Sequence, residues 1–271
     1  MSVPDQRPAS APIDSSVAHP ARRYDYWLGG KDNFAADRES GDAIAAKFPA
    51  IRTAVVENRR FLRRAVTFLA ADRGIRQFLD IGTGLPTANN THEVAQRIAP
   101  DSRIVYVDND PLVLVHARAL LTSSTPGRTA YVDADLRDPA KILDDHALRD
   151  TIDLARPVAL MLIATLHFIP DQDDPYAIVR RLASALAPGS YLAISHATSD
   201  YLPPELVADI ASGRHGQGRL RTHAEFARFF TGLDLVEPGV VPLPDWRSAD
   251  EPGPRPSAAE TAMYAALARI S

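Results

Sequence analysis

From Gln77 onward, short apolar runs alternate with segments of helical pattern. This alternation constrains the fold of the chain more than any other feature. The runs are "QFLDI", "RIVYVD", "TAYVDAD", "PVALMLIAT" and "SYLAISH". Each reads as a strand buried on both faces. Between them stand "NNTHEVAQRIAP", "DPLVLVHARALL", "PAKILDDHAL" and "DPYAIVRRLASALAPG", each helical in pattern. Strands joined through helices build a mostly parallel sheet with helices on both faces. Near the C-terminus "THAEFARFF" opens on a capping box, Thr222 to Glu225. "LDLVEPGVVPL" reads as a late strand, and "AMYAALARI" fits either a strand or a short helix. The Pro-rich "PLPDWRSADEPGPRPS" between them reads as a loop.

The chain before Gln77 has a different character. "ARRYDYWLGGKDNFAADRESGDAIAAKFP" predicts a short helix, a Gly-Gly break and a second helix. "IRTAVVENRRFLRRAVTFLAADRG" predicts a long amphipathic helix with Val55, Phe61, Leu62, Val66 and Leu69 near helical spacing, stopped at Gly74. Residues 1–19, rich in Pro, Ser and Ala, read as a disordered lead-in. The expected organisation is thus a tail over 1–19, a helical cap over 20–75 and an α/β domain over 76–271, with cap and domain forming one compact unit.

Composition excludes several classes of function. There is no cysteine, which rules out disulfides, thiolate metal sites and cysteine nucleophiles, and which fits a cytoplasmic address. The net charge of −4 argues against a protein that grips nucleic acid as its main role. No apolar run approaches a membrane span, and the N-terminus lacks the apolar core of a signal peptide. The sequence leaves the oligomeric state open.

The first strand runs into "DIGTGLPTANN", a glycine turn followed by a helix start, with Asn90 as the N-cap and Glu93 three residues on. Gly82 and Gly84 permit close approach of the backbone to a ligand. Two ligand classes use such a turn. A dinucleotide prefers G-x-G-x-x-G, but here the third glycine is missing and Pro86 removes a backbone donor. Asp80 stands two residues before Gly82; it would repel a pyrophosphate, whereas it would stabilise the sulfonium and ammonium of S-adenosyl-L-methionine. The turn therefore favours a nucleoside carrying positive charge. The next strand ends agree. Asp108 stands where an acidic residue accepts from ribose hydroxyls. Asp133 or Asp135 can accept from an adenine amino group, and the amide of Leu136 can meet a ring nitrogen. The blander reading, in which such aspartates merely cap helices at βα turns, suits Asp110 before Pro111 and Asp138 before Pro139.

These residues give the chain a recognisable likeness. In "ARRYDYWLGGKDNFAADRE", "NRRFLRRAV", "QFLDIGTGLPTANNTHEVAQ", "VYVDNDPLVLVHARALL", "DADLRDPAKIL" and "LHFIPD" it resembles the class I S-adenosylmethionine-dependent methyltransferases. More closely, it resembles the actinobacterial "S-adenosyl methyltransferase" family, formerly a domain of unknown function. The resemblance implies a Rossmann-like, mostly parallel seven-stranded sheet with an N-terminal helical cap. It also implies S-adenosylmethionine as cofactor, S-adenosyl-L-homocysteine as product and a small-molecule acceptor. It places the cofactor on Asp80, Gly82, Gly84, Pro86, Asp108, Asn109, Asp135, Leu136 and Thr165. "ETAMYAALARIS" departs from the glycine-containing last strand that the family leads one to expect.

The cap carries further candidates. In "YDYWLGGKDNF" the aromatics Tyr24, Tyr26 and Trp27 adjoin Gly29-Gly30 and then Lys31, Asp32 and Asn33. One reading buries Tyr24, Trp27 and Leu28 as a packing face. The other folds the segment over the cofactor, with Tyr24 at the site and Asn33 or Lys31 reaching the methionine carboxylate. Arg59, Arg60, Arg63 and Arg64 read as a solvated helix face from which one arginine could enter the site. Methyl transfer demands proximity and alignment above all, and a base only for a protonated nucleophile. His167, past the fourth strand, is the candidate base; His196 is a second, and Tyr24 or Tyr26 could orient the substrate. His215 and His223 lack the spacing of a metal site, and their loop over 198–222 reads as a substrate-side flap. Two other readings stand beside the methyltransferase: a non-catalytic binder of S-adenosylmethionine, and a nicotinamide-dependent oxidoreductase opposed by Asp80 and the missing glycine.

Overall fold

A computed structural model describes residues 13–120, 126–213, 218–249 and 251–271. Three helices come first: α1 (Pro20–Trp27), α2 (Ala35–Lys47) and α3 (Ile51–Thr67). The last continues as a π-helical turn over Phe68–Asp72. Gly74, at φ +67°, closes it as the left-handed stop expected from the sequence.

Five parallel strands follow: β1 (Gln77–Ile81), β2 (Arg103–Asp108), β3 (Arg128–Asp133), β4 (Ala159–Ile163) and β5 (Tyr191–Ala197). The helices between them are α4 (Thr91–Ile98), α5 (Pro111–Leu120), α6 (Pro139–Asp144), α7 (His146–Thr151) and α8 (Pro175–Ser184). After β5 come α9 (Pro204–Ala211), α10 (His223–Ala227), β6 (Asp234–Leu235), β7 (Val241–Pro242), α11 (Ala258–Thr261) and β8 (Met263–Arg269). The sheet order is β3-β2-β1-β4-β5-β8-β6, with β7 also paired to β8. Connections run outward in opposite directions from β1 and β4, so their carboxyl ends flank the switch point where open α/β sheets bind ligands.

Two features refine the expected seven strands. The ambiguous "AMYAALARI" is a strand, antiparallel to β5 from Tyr191↔Arg269 to Ala197↔Met263. Alanine is a poor strand former, and burial on both faces overrides that preference here. The outermost strand position is split. β6 pairs with Ala268 and Arg269, while β7 pairs with Tyr264 and Ala265. Pro238 and Gly239 lie in the gap, and proline has no N–H to give a ladder.

Each sheet face has its own apolar core. One holds Leu79, Val105, Leu160, Leu182 and the Phe226, Phe229 and Phe230 aromatics. The other packs Phe61, Leu62 and Ala65 of α3 and Leu69 of the π-helical turn against Phe78, Ile104 and Met161. Trp246 closes that side, edge-on to Phe61 at 5.3 Å and to Phe68 at 6.0 Å. Helix α3 is therefore one of the layers covering the sheet, and it presents its N-terminal half to the switch point. Among the described residues no helix is long and apolar enough to cross a membrane.

Candidate active site

The carboxyl ends of β1, β2 and β3 form one wall of a cavity of about 380 Å³. At β1 the chain turns at Gly82, whose φ is +75°. A Cβ there would stand 2.3 Å from Thr165 Oγ1, so only glycine lets the turn pass the end of β4. Gly84, at φ +67°, aims its N–H at Asp108 Oδ2, 2.8 Å away. Asp108 Oδ1 accepts from Asp110 N at 3.0 Å. Each carboxylate oxygen has a second lone pair, so both can still accept from ligand hydroxyls. Asp80 Oδ2 accepts from the Thr91 hydroxyl at 2.6 Å, at the start of α4. Asn90 and Glu93 form the expected capping box there.

Electrostatics of this wall are unusual for carboxylates. Asp80 and Asp108 are only 4% and 7% exposed. Burial pushes the Asp80 carboxyl up to about 6, against the counteracting Thr91 hydrogen bond and the Arg59 cation. Burial raises Asp108 as well. A cation arriving in the cavity would compensate both charges. At β3, Asp135 Oδ2 accepts from Asn109 Nδ2 at 2.9 Å, and its Oδ1 accepts from Arg137 N at 2.8 Å. Asp135, Leu136 and Asn109 all line the cavity.

The second wall comes from the N-terminal helices. His19, Arg23, Tyr24 and Asp25 line it from α1 and its lead-in, Asn58 and Arg59 from α3. Helix α1 buries Arg22, Arg23 and Asp25, not an apolar face. His19 Nδ1 lies 2.9 Å from Asp110 Oδ2, and Arg22 Nε lies 3.4 Å from the same oxygen. These contacts fasten the segment to the loop after β2. Asp110 thus both caps α5, accepting from Leu112 N, and anchors the second wall. Ala18 and His19, assigned by sequence to the tail, belong to the wall itself.

Tyr24 donates its hydroxyl to Val55 O at 3.1 Å and accepts from Asn58 Nδ2 at 2.9 Å. Asn58 Oδ1 in turn accepts from Ser195 Oγ at 2.6 Å. Burial raises the Tyr24 phenol above its ordinary value, so it stays protonated. The Gly29-Gly30 break also has a local reason. A Cβ on Gly30 would meet Asp25 Oδ1 at 1.9 Å. The Asp25 carboxylate accepts from Asp32 N at 3.0 Å and Asn33 Nδ2 at 2.8 Å. The "LGGKDN" segment therefore wraps a buried carboxylate.

Several expected residues do not reach the cavity wall. Lys31 is exposed, and Asn33 is bound to Asp25; neither lines the cavity. Pro86 is outside it as well, although its neighbours Leu85 and Thr87 are in the wall. Asp133 is exposed and outside the lining, which leaves Asp135 at the β3 end. Thr165 does line the cavity, after Ala164 at φ +55°. Ala164 N is held there by Ser195 O at 3.1 Å and Ser195 Oγ at 3.0 Å.

His167 does not line the cavity, although the next residue, Phe168, does. Its ring packs on Phe168 and on the His196 ring, with centroids 4.3 and 5.6 Å away. Burial, with the Arg221 and Arg23 cations, lowers its pKa to about 3. His196 is fully occupied: Nδ1–H donates to Ala197 O at 2.6 Å, and Nε2 accepts from Arg221 Nη1 at 2.8 Å. Arg221, entirely buried, also holds Leu166 O, Ile169 O and Asp171. The arginine row of α3 is not uniformly solvated either. Arg64 is buried in an ion pair with Glu57 and Glu251. His223 packs on Tyr264, and His215 lies outside the described residues.

Sequence reasoning did not single out Arg23, Asp25, Asn58 or His19. A signal existed for Asn58 and Arg59: with Val55 and Leu62 they share one face of α3 at helical spacing. The pairing of α1 with Asp110 left no local signal.

The donor set fits S-adenosylmethionine: buried acids for its cationic groups and hydroxyls, and a glycine turn for close backbone approach. A family model described as S-adenosyl methyltransferase matches residues 6–271. A crystal structure of a DUF574 family protein from Streptomyces avermitilis is 50% identical and covers 96% of this chain and 100% of its own, with a TM-score of 0.89. A Mycobacterium marinum protein, provisionally named an S-adenosyl-L-methionine-dependent methyltransferase, is 28% identical over 259 residues, 89% of this chain and 74% of its own. Magnesium protoporphyrin IX methyltransferase from Synechocystis, crystallised with bound S-adenosylhomocysteine, shares the fold at 14% identity and a TM-score of 0.52, covering 92% of this chain and 93% of its own. The chain belongs to the S-adenosyl methyltransferase family, and it is an S-adenosylmethionine-dependent enzyme with a class I Rossmann-like fold.

Proposed function

We propose that the enzyme methylates an oxygen or nitrogen of a small molecule. The observation that carries this reading is the second wall. Residues 18–21 and 23–25, with Asn58 and Arg59, stand against the strand ends, so the cavity is bounded on both sides. A cavity of about 380 Å³ has the size of a small-molecule site. The net charge of −4 supports the same choice over a nucleic-acid substrate.

Bound in this cavity, S-adenosylmethionine supplies a methyl group already activated by its sulfonium. The protein's own residues bind, align and exclude water. In this reading Asp108 accepts from the ribose hydroxyls, and Asp135 with the Leu136 amide holds the adenine edge. Asp80 faces the cationic end. Tyr24, fixed by Asn58 and Val55, keeps the second wall in place. Alignment alone accounts for much of the acceleration of such a displacement. A histidine whose conjugate acid has a pKa near 3 is a weak base, which argues against His167 in that role. The reading therefore assigns catalysis to positioning.

The experiment is a methyl-transfer screen with labelled S-adenosylmethionine against phenols, carboxylates, amines and hydroxylated small molecules, with tRNA and duplex DNA alongside. Label transfer to a small acceptor is the expected result. Transfer to nucleic acid alone would overturn the reading.

A further inference from the structure

The amino-acid end of S-adenosylmethionine is a zwitterion, so its site needs an acid for the ammonium and a cation for the carboxylate. Asp80 is the acid at the glycine turn. Lys31 and Asn33, the cations and donors suggested by sequence, stay outside the cavity. Three arginines line it, Arg23, Arg59 and Arg137, and the last is committed to Asp135 and Asp173 at the β3 end. The first two face different regions. Arg59 belongs to the β1 side: its Nη2 donates to Asn89 O at 3.0 Å and to Ala88 O and Asn90 Oδ1 at 3.3 Å. Its charge acts on Asp80. Arg23 lies toward Ser40 of α2, with Nη1 donating to that hydroxyl at 3.1 Å, and its charge acts on His167 past β4.

Arg59 has a further property. Its hydrogen bonds among the described residues all leave from Nη2 and give Nη1 no acceptor. A carboxylate is the best complement of a guanidinium edge. The turn at 88–90 holds the guanidinium in place before any ligand arrives, which lowers the ordering cost of binding.

We infer that Arg59 is the anchor for the cofactor's α-carboxylate, forming with Asp80 an opposite-charge pair that reads the zwitterion. The assignment rests on the reading of the Asp80 turn as the methionine end of the site. It makes a sharp demand. Arg59 should matter for ligands that carry the amino-acid group and not for those that lack it.

Titration calorimetry with S-adenosylhomocysteine and 5′-deoxy-5′-methylthioadenosine tests this. The two share the thioether nucleoside, and only the first has the amino-acid end. Arg59→Met should weaken the first by about 10- to 100-fold, the range of one or two charge-assisted hydrogen bonds, and change the second less than twofold. Arg59→Lys, which keeps the charge, should recover part of the loss, and it serves if the methionine variant folds poorly. Equal weakening of both ligands, or of neither, would overturn the assignment while leaving the cofactor site standing. So would loss of the amino-acid preference in Arg23→Met with its retention in Arg59→Met. Wild-type protein that binds neither ligand would overturn the site reading, and the assignment with it.

Discussion

The two walls of the cavity are built by different kinds of information. The strand-end wall is local. Asp80, Gly82 and Gly84 lie within five residues of one another, Asp108 ends the buried strand β2, and Asp135 stands two residues beyond β3, which is a half-exposed edge strand and not the doubly buried one its sequence suggested. The helical wall is assembled over distance. His19 and Arg22 find Asp110, Tyr24 finds Val55 and Asn58, and Asn58 reaches Ser195, 137 residues away. Strand-end chemistry follows from periodicity, because the sheet delivers every carboxyl end to one edge. The second wall depends on which polar partners meet after the sheet has formed.

The largest effect is expected at the strand-end wall. Asp108→Ala should weaken S-adenosylhomocysteine by about 1.5–3 kcal/mol for each ribose hydrogen bond lost. Calorimetry checks this, and unchanged affinity would remove Asp108 from the ribose.

Asp80 sharpens the comparison through pH. Its carboxyl is held near 6 in the folded protein, against an ordinary 3.8. Between these values the folded state keeps a proton that the unfolded state has lost. Stability therefore falls as pH rises through this window, and the ionised group costs about 3 kcal/mol above pH 6. Asp80→Asn should thus stabilise the cofactor-free protein at neutral pH while weakening cofactor binding. Urea unfolding at pH 7.5 and pH 4 would show the gain at the first and its loss at the second. A variant no more stable at pH 7.5 would contradict the burial cost.

At the helical wall, Tyr24→Phe leaves Asn58 and Val55 each short of a partner. The expected loss is about 1–2 kcal/mol of stability, with affinity for S-adenosylhomocysteine changed only slightly. Thermal unfolding and calorimetry together would separate this from direct cofactor contact, which would weaken binding at unchanged stability. The smallest effect concerns His167→Gln. Once an acceptor is known, turnover should change less than about threefold. A loss of about 100-fold or more, the scale of general-base catalysis, would restore His167 as a base.

Much of the site's floor was legible in advance. The Asn90–Glu93 and Thr222–Glu225 capping boxes, the stop at Gly74 and the acidic strand ends are all short-range signals. What failed was charge placement. Arg22, Arg23, Asp25 and Arg64 carry the composition of a solvated surface, yet each is buried, held at least in part by partners that helical spacing cannot reveal. Glu251, for example, joins Arg64 across 187 residues. The last strand was ambiguous because its alanines favour a helix, and tertiary burial decided for the strand. His167 stands at the right place in the chain, but the buried Arg221 holds the backbone on either side of it, at Leu166 O and Ile169 O, while the His167 ring turns toward His196.

The most direct test of a two-walled cofactor site is hydrogen exchange with and without S-adenosylhomocysteine. If both walls close on the cofactor, amides in 82–90, 108–110 and 134–137 should slow, and so should those in 18–34. Slowing confined to the strand-end loops, with 18–34 unchanged at saturating ligand, would show that the helical wall takes no part in holding the cofactor.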